Sequence, residues 1–354
     1  MAEYMKNHGE PQNLAISFQH GLAGLALAEA GYFRVTGRGV HARRACAYLD
    51  TLATRLRQDN AHGWRGSLLF GVGGAIWSAH YVAASGIPVE ADTIEAWMAL
   101  MATDSEGGFD LALGAAGRAL VALRHFQAGG RIQWREYAVE QAERIARERD
   151  SNGLWTMSLS TTSRFWGFAH GVAGIAYLFL ELYLVTGSKR WLELVRDCVD
   201  RLQNSVSNVN GAGWQWTHGP DTSLTWCAWC NGNAGISLLF FRLHQLLSEG
   251  SDAVNHCLSG VARALWATAP LGQCHGLAGV GQCLREGGAP AEEALEQVDL
   301  LLHAATQWDS FGPVWPSDDS TISEDFGVGY PGIAFYWASR LGGLGHPLLV
   351  DLPR

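Results

Sequence analysis

Seven copies of Gly-x-x-Gly punctuate this chain, opening at Gly21, Gly71, Gly114, Gly171, Gly232, Gly276 and Gly329 and closing at Gly24, Gly74, Gly117, Gly174, Gly235, Gly279 and Gly332. Each leads into an apolar, helix-forming run. The interval averages about 51 residues, the size of a repeat holding two helices and their connections. Seven helix pairs are implied. Glycine serves such a turn either by adopting positive φ or by letting two backbones approach closely, and most of these fourteen glycines read as structural.

The runs after the glycines, such as LALAEAGYF from Leu25, IAYLFLELYLV from Ile175, ISLLFFRLHQLL from Ile236 and IAFYWASRL from Ile333, are apolar almost all round and predict buried helices. Segments between them carry a single stripe. Trp191, Leu194, Val195, Cys198, Val199 and Leu202 fall on one helical face while Glu193, Arg196, Asp197 and Arg201 fall on the other. A buried helix alternating with an amphipathic one predicts an all-α closed double ring of seven inner and six to seven outer helices. Strand signals are nearly absent. The glycine- and proline-broken tail LGGLGHPLLVDLPR does not suit a full last outer helix. Gly/Trp loops precede several turns, at Gly63-Trp64, Trp155, Trp214, Trp216, Trp308 and Trp315, and read chiefly as packing elements.

Composition limits the partners. With 48% hydrophobic and 17% charged residues among 354, the chain buries a large core. A net charge of -9 with no basic run gives no electrostatic basis for a nucleic-acid or anionic-membrane partner. The first residues lack the apolar stretch of a signal peptide, so a cytoplasmic location is expected. One domain is expected over residues 1–354, as a stand-alone protein or the terminal domain of a longer enzyme. Seven cysteines in a reducing compartment point to ligation or catalysis before a disulfide framework.

The residues just before the opening glycines are His20, Phe70, Leu113, His170, Asn231, His275 and Val328. Equivalent turns direct them toward one end of the ring, so polar groups there converge. Cys230, in WCNGNAG, and Cys274 with His275, in CHGLAG, form a Cys₂His set from adjacent repeats, which matches a catalytic zinc site with an open fourth position. Read alone, Cys227 and Cys230 also form a Cys-x-x-Cys, open to a redox or structural-metal reading that no βαβ context supports.

With these motifs in place, the chain resembles the lanthionine synthetase C-like family, the cyclases of lanthipeptide biosynthesis. The resemblance spans all seven turns and is most specific at Trp229-Cys230-x-Gly232 and Cys274-His275-Gly276. It implies an α/α toroid, zinc held by Cys230, Cys274 and His275, and addition of peptide cysteine thiols to dehydroalanine or dehydrobutyrine. A dehydrated precursor peptide is then the substrate, and a dehydratase, kinase or lyase protein or domain the partner. The family's turn histidine falls on His170, the candidate acid, and its aspartate on Asp110, which would fix the imidazole tautomer.

Two positions depart from the family's usual pattern: Trp226 replaces an arginine and Asn231 an aromatic residue or histidine. Other polar groups have plainer readings. His20 has no partner motif and reads as a capping or core histidine. Cys46, Cys198 and Cys257 lie on helical stripes as small core residues, and Asp318, Asp319, Glu324 and Asp325 read as solvated loop carboxylates. The rivals are a non-catalytic zinc or peptide-binding module and an α/α-toroid glycoside hydrolase, which needs two facing carboxylates.

Overall fold

The computed structural model describes residues 16–58, 65–104, 107–156, 163–207, 213–265, 270–310, 312–317 and 320–349. Trp64, Asp318 and Asp319 lie outside them. Seven inner helices follow the glycine turns: α1 (Leu22–Thr36), α3 (Val72–Ala84), α5 (Ala115–Gln127), α7 (Val172–Thr186), α9 (Asn233–Leu247), α11 (Leu277–Arg285) and α13 (Tyr330–Gly342). Six outer helices alternate with them: α2 (Gly39–Gln58), α4 (Ala91–Ala102), α6 (Ile132–Arg147), α8 (Lys189–Asn204), α10 (Ser251–Ala264) and α12 (Glu292–Ala304). Every inner helix packs on the next, and α13 packs on α1, which closes the ring.

The sequence contrast between the layers is a contrast in burial. Helix α7 is buried from Val172 through Leu182. Helix α8 buries only Trp191, Val195, Cys198 and Leu202. Cys198 and Cys257 are core residues as expected, and Cys46 is half-buried against the core.

Among the described residues no seventh outer helix follows α13. The tail instead turns inward, burying Leu344, Leu348 and Leu349. Trp77 of α3 donates its indole N–H to the Pro347 carbonyl at 2.9 Å, and the His346 ring lies 6.2 Å from that of Trp229. The only regular strands among the described residues are the two-residue β1 (Gln307–Trp308) and β2 (Pro313–Val314), paired antiparallel.

Close approach, rather than positive φ, explains the glycine signature. The opening glycines are extended, Gly171 at φ -160° for example. A β-carbon at Gly174 or Gly235 would run into the carbonyl oxygen of Phe168 or Trp229, and one at Gly74 would stand 2.6 Å from that of Leu68. Each closing glycine thus lets the first helical turn sit on the loop that feeds it.

The loop tryptophans seal the outer helices. Trp155, Trp216 and Trp315 donate their indole N–H groups to the carbonyls of Ile145, Leu202 and Leu302 at 2.7, 2.8 and 3.0 Å. Each acceptor lies in the last turn of α6, α8 or α12, where helical carbonyls lack an intrahelical donor. Trp308, by contrast, is 77% exposed.

Candidate functional site

The seven turns meet in a circular backbone ladder. The residue two places before each opening glycine donates its N–H to the carbonyl of its counterpart in the next repeat: Gln19 to Leu69 (3.0 Å), Leu69 to Ala112 (3.0 Å), Ala112 to Ala169 (2.9 Å) and Ala169 to Cys230 (2.7 Å). Cys230 then donates to Cys274 (3.1 Å), Cys274 to Gly327 (2.8 Å) and Gly327 to Gln19 (2.8 Å), and the circle is complete. Hydrogen-bonded backbones run about 4.8 Å apart, so a regular ring of seven is about 11 Å across. This circle is the mouth of the ring.

The ladder explains the convergence of the cysteines. Cys230 and Cys274 occupy adjacent rungs joined by one backbone hydrogen bond, and His275 follows Cys274 directly. The sulfur atoms and one ring nitrogen of the three residues all lie within 4.8 Å of one another. Tetrahedral zinc with bonds of about 2.3 Å to sulfur holds its ligands about 3.8 Å apart, so small side-chain adjustments suffice. No other such group of ligating side chains occurs among the described residues.

Thiol acidity separates these cysteines from the rest. A hydrogen bond with Cys274, reinforced by His275 and His170, holds the buried Cys230 thiol well below its ordinary range despite burial. Burial pushes Cys198 and Cys257 up to about 12 and Cys283 well above its ordinary value. A group that ligates as thiolate needs the first environment. The donor set therefore fits zinc. Cys227 is not among the converging donors; its thiol faces the Val261 carbonyl at 3.9 Å, away from a pairing with Cys230.

His170 stands one repeat before Cys230. Its Nδ1 is 2.9 Å from Oδ2 of Asp110, whose other oxygen accepts the backbone N–H groups of Leu113 at 2.7 Å and Gly114 at 2.9 Å. Asp110 is thus a turn cap and an imidazole partner at once. Burial alone would lower the pKa of His170, but the hydrogen bond and charge of Asp110, with Cys230 adding to them, raise it above its ordinary value.

Three features were not legible beforehand. Trp226 bridges two histidines, its ring 5.4 Å from those of His218 and His275, in one wall of the mouth. Burial lowers the pKa of His218 against the charge of Cys230. The sequence signal for His218 was slight, a His-Gly pair in a Trp-rich loop. The third feature is a correction: Asp325 is not a freely solvated carboxylate, and His20 does have a partner, because His20 Nδ1 and Asp325 Oδ2 lie 3.3 Å apart. Asn231 is buried beside Cys230, and its Oδ1 has no hydrogen-bond partner.

The family model described as "Lanthionine synthetase C-like protein" matches residues 12–309. The chain belongs to the lanthionine synthetase C-like family. Among solved structures, this family member is similar to nisin cyclase, with a TM-score of 0.67 and 16% identity over 98% of this chain and 95% of that one. It is also similar to the GH76A alpha-1,6-mannanase from Salegentibacter sp. HEL1_6, with a TM-score of 0.51 and 13% identity over 91% of this chain and 88% of that one. At these identities the likenesses establish the α/α toroid of this lanthionine synthetase C-like protein and nothing beyond it. No curated protein matches the sequence.

Proposed function

We propose that this protein is a zinc-dependent lanthipeptide cyclase, joining cysteine thiols of a dehydrated precursor peptide to dehydroalanine or dehydrobutyrine as thioether rings. The observation that carries the reading is the convergence of Cys230, Cys274 and His275 at a mouth that also presents an Asp-oriented imidazole, His170. Family membership supports it. Zinc, when bound, supplies the positive charge that favours the thiolate form of an incoming cysteine.

The remaining steps belong to the chain. Cys230, Cys274 and His275 would hold the metal, three protein donors that leave room for a substrate sulfur. Attack on the β-carbon moves the double-bond electrons into an enolate, and His170 gives its Nε2 proton to the α-carbon. Asp110 keeps Nδ1 protonated so that Nε2 faces the reaction. The substrate comes from a dehydratase, kinase or lyase protein or domain acting beforehand. No helix among the described residues is long and apolar enough to cross a membrane; we infer a cytoplasmic site of action, where thiols stay reduced.

The test is metal analysis followed by incubation with a dehydrated precursor, reading thiol loss by alkylation and mass spectrometry. One zinc per chain with progressive loss of alkylatable thiols is expected. A zinc-loaded protein that binds the peptide but leaves every thiol free is a binding module, and the proposal then fails.

A further inference from the structure

The pair His20–Asp325 repeats the pair His170–Asp110 position for position. Asp110 stands four residues before Gly114, and His170 immediately before the glycine of the next turn, Gly171. Asp325 stands four residues before Gly329, and His20 immediately before Gly21, whose turn is the next one round the closed ring. In both pairs Nδ1 faces a carboxylate oxygen, at 2.9 Å and 3.3 Å. One pair lies within the chain's middle; the other spans the seam between its first and last repeats.

The second imidazole is placed for chemistry by three observations. It lies at the mouth, three rungs from His170 one way and four the other, nearly as far across the circle of about 11 Å as seven rungs permit. The Cys230, Cys274 and His275 set lies on the arc between them. The His20 side chain is 11% exposed, its ring packs on Phe70 with centroids 5.9 Å apart, and its Nε2 is buried with no hydrogen-bond partner. In the neutral tautomer that directs Nδ1–H at Asp325, Nε2 carries the lone pair. A buried acceptor left unmet costs about 1–3 kcal/mol, a cost that a proton or a substrate donor at Nε2 would relieve.

Thioether formation needs two proton transfers at two places. One proton leaves sulfur and one arrives at the α-carbon. We propose that His20, oriented by Asp325, is a second catalytic imidazole, its Nε2 accepting the proton of the peptide thiol while His170 supplies the proton to the α-carbon. The S–H bond breaks with its electron pair left on sulfur, and the S–Cβ bond forms. The π electrons pass to the enolate and return as the new Cα–H bond. The proton gained by His20 equals the one lost by His170, and exchange with solvent resets both. The proposal rests on the cyclase reading above.

Two substitutions separate this role from a latch that merely holds the ring seam. Asparagine mimics Nδ1, so His20→Asn keeps the bond to Asp325 and deletes the base; His20→Gln deletes the Asp325 bond and fills the Nε2 position without a base. A proton acceptor predicts that both lose about 10²-fold or more in kcat, with KM, zinc content and melting midpoint at wild-type values for His20→Asn. Nitrogen-15 NMR of the resting protein should show His20 as the Nδ1–H tautomer, and Asp325→Asn should abolish that preference. A latch predicts near wild-type turnover for His20→Asn and a lowered midpoint for His20→Gln. That result, or an Nε2–H tautomer at His20, overturns the inference. If the wild-type protein itself forms no thioether in the same assay, the cyclase reading is what has failed.

Discussion

Replacing Asp110 by asparagine isolates what the carboxylate charge contributes. Asparagine keeps an oxygen for the Leu113 and Gly114 N–H groups, now 2.7 and 2.9 Å from Oδ1, so the turn survives. The amide turns an N–H toward His170 Nδ1, which has been 2.9 Å from a carboxylate oxygen, and favours the opposite tautomer. A hydrogen bond to a charged group contributes about 1.5–3 kcal/mol. At about 1.36 kcal/mol per pKa unit, its loss lowers the imidazolium pKa by about 1–2 units. The sign follows from the wild type, in which His170 is raised above its ordinary 6.5. As an acid, His170 works while protonated, so kcat holds below its folded pKa and falls as pH rises through it. In Asp110→Asn that alkaline fall should move about 1–2 units toward acid, with rate lost about 10- to 100-fold at neutral pH. Stability tracks the same group: the wild type gains from the raised pKa below pH 6.5 and loses the gain as pH rises through the folded value, and the variant should lack that dependence. Cyclisation profiles from pH 5.5 to 9, with a His170 NMR titration beside them, are the assay. An alkaline limb and an imidazole pKa unmoved in Asp110→Asn would show that the carboxylate acts on the turn alone, and the assignment of roles would be wrong.

Three further outcomes are expected. Wild type should purify with one zinc per chain and Cys230→Ala or Cys274→Ala with little, while His170→Ala keeps the metal and folds but loses about 10²- to 10⁴-fold in rate; metal loss from His170→Ala would make it a ligand. Gly235→Ala, which forces a β-carbon onto the Trp229 carbonyl, should cost about 1–3 kcal/mol in urea unfolding, whereas Gly39→Ala, whose β-carbon would meet only the Arg43 side chain at 3.5 Å, should change nothing; equal costs would refute the close-approach account. Burial holds His346 down at about 3, so unfolding takes up a proton as pH falls below the ordinary 6.5, and stability should drop by about 1.36 kcal/mol per pH unit from this residue between the two values. His346→Asn should flatten that slope, as read by denaturant midpoints at pH 7, 5.5 and 4, and an unchanged slope would place the protonation elsewhere.

What the sequence disclosed is what repeats locally. The glycine period gave the inner helices, the one-sided stripes gave the outer ones, and the shared register put Cys230, Cys274 and His275 at neighbouring turns. Asp110 and His170 were readable through the family resemblance, which places its aspartate and turn histidine at these positions. The His20–Asp325 pair is built by the same rule but joins residues 305 positions apart across a seam with no peptide bond, so a reading from one end to the other left each half alone. The Trp226 bridge was hidden for another reason. His218 sits in a loop with no place in the period, and only tertiary packing brings its ring to the wall. The glycines were recognised, but the reason for them, a carbonyl lying under each closing residue, is a matter of distance that no spacing encodes.

The circular ladder also frees the side chains it carries. Because each rung holds its neighbours through main-chain atoms alone, the register of the mouth does not depend on which residue precedes a glycine. Phe70, at one such position, packs on the His20 ring, while Leu113 and Val328 occupy two more without any polar group. Changes there can reshape what the mouth accepts while the scaffold and the cysteine–histidine arc stay as they are. A toroid of this kind can be altered at such a position without breaking the main-chain circle that sets its mouth.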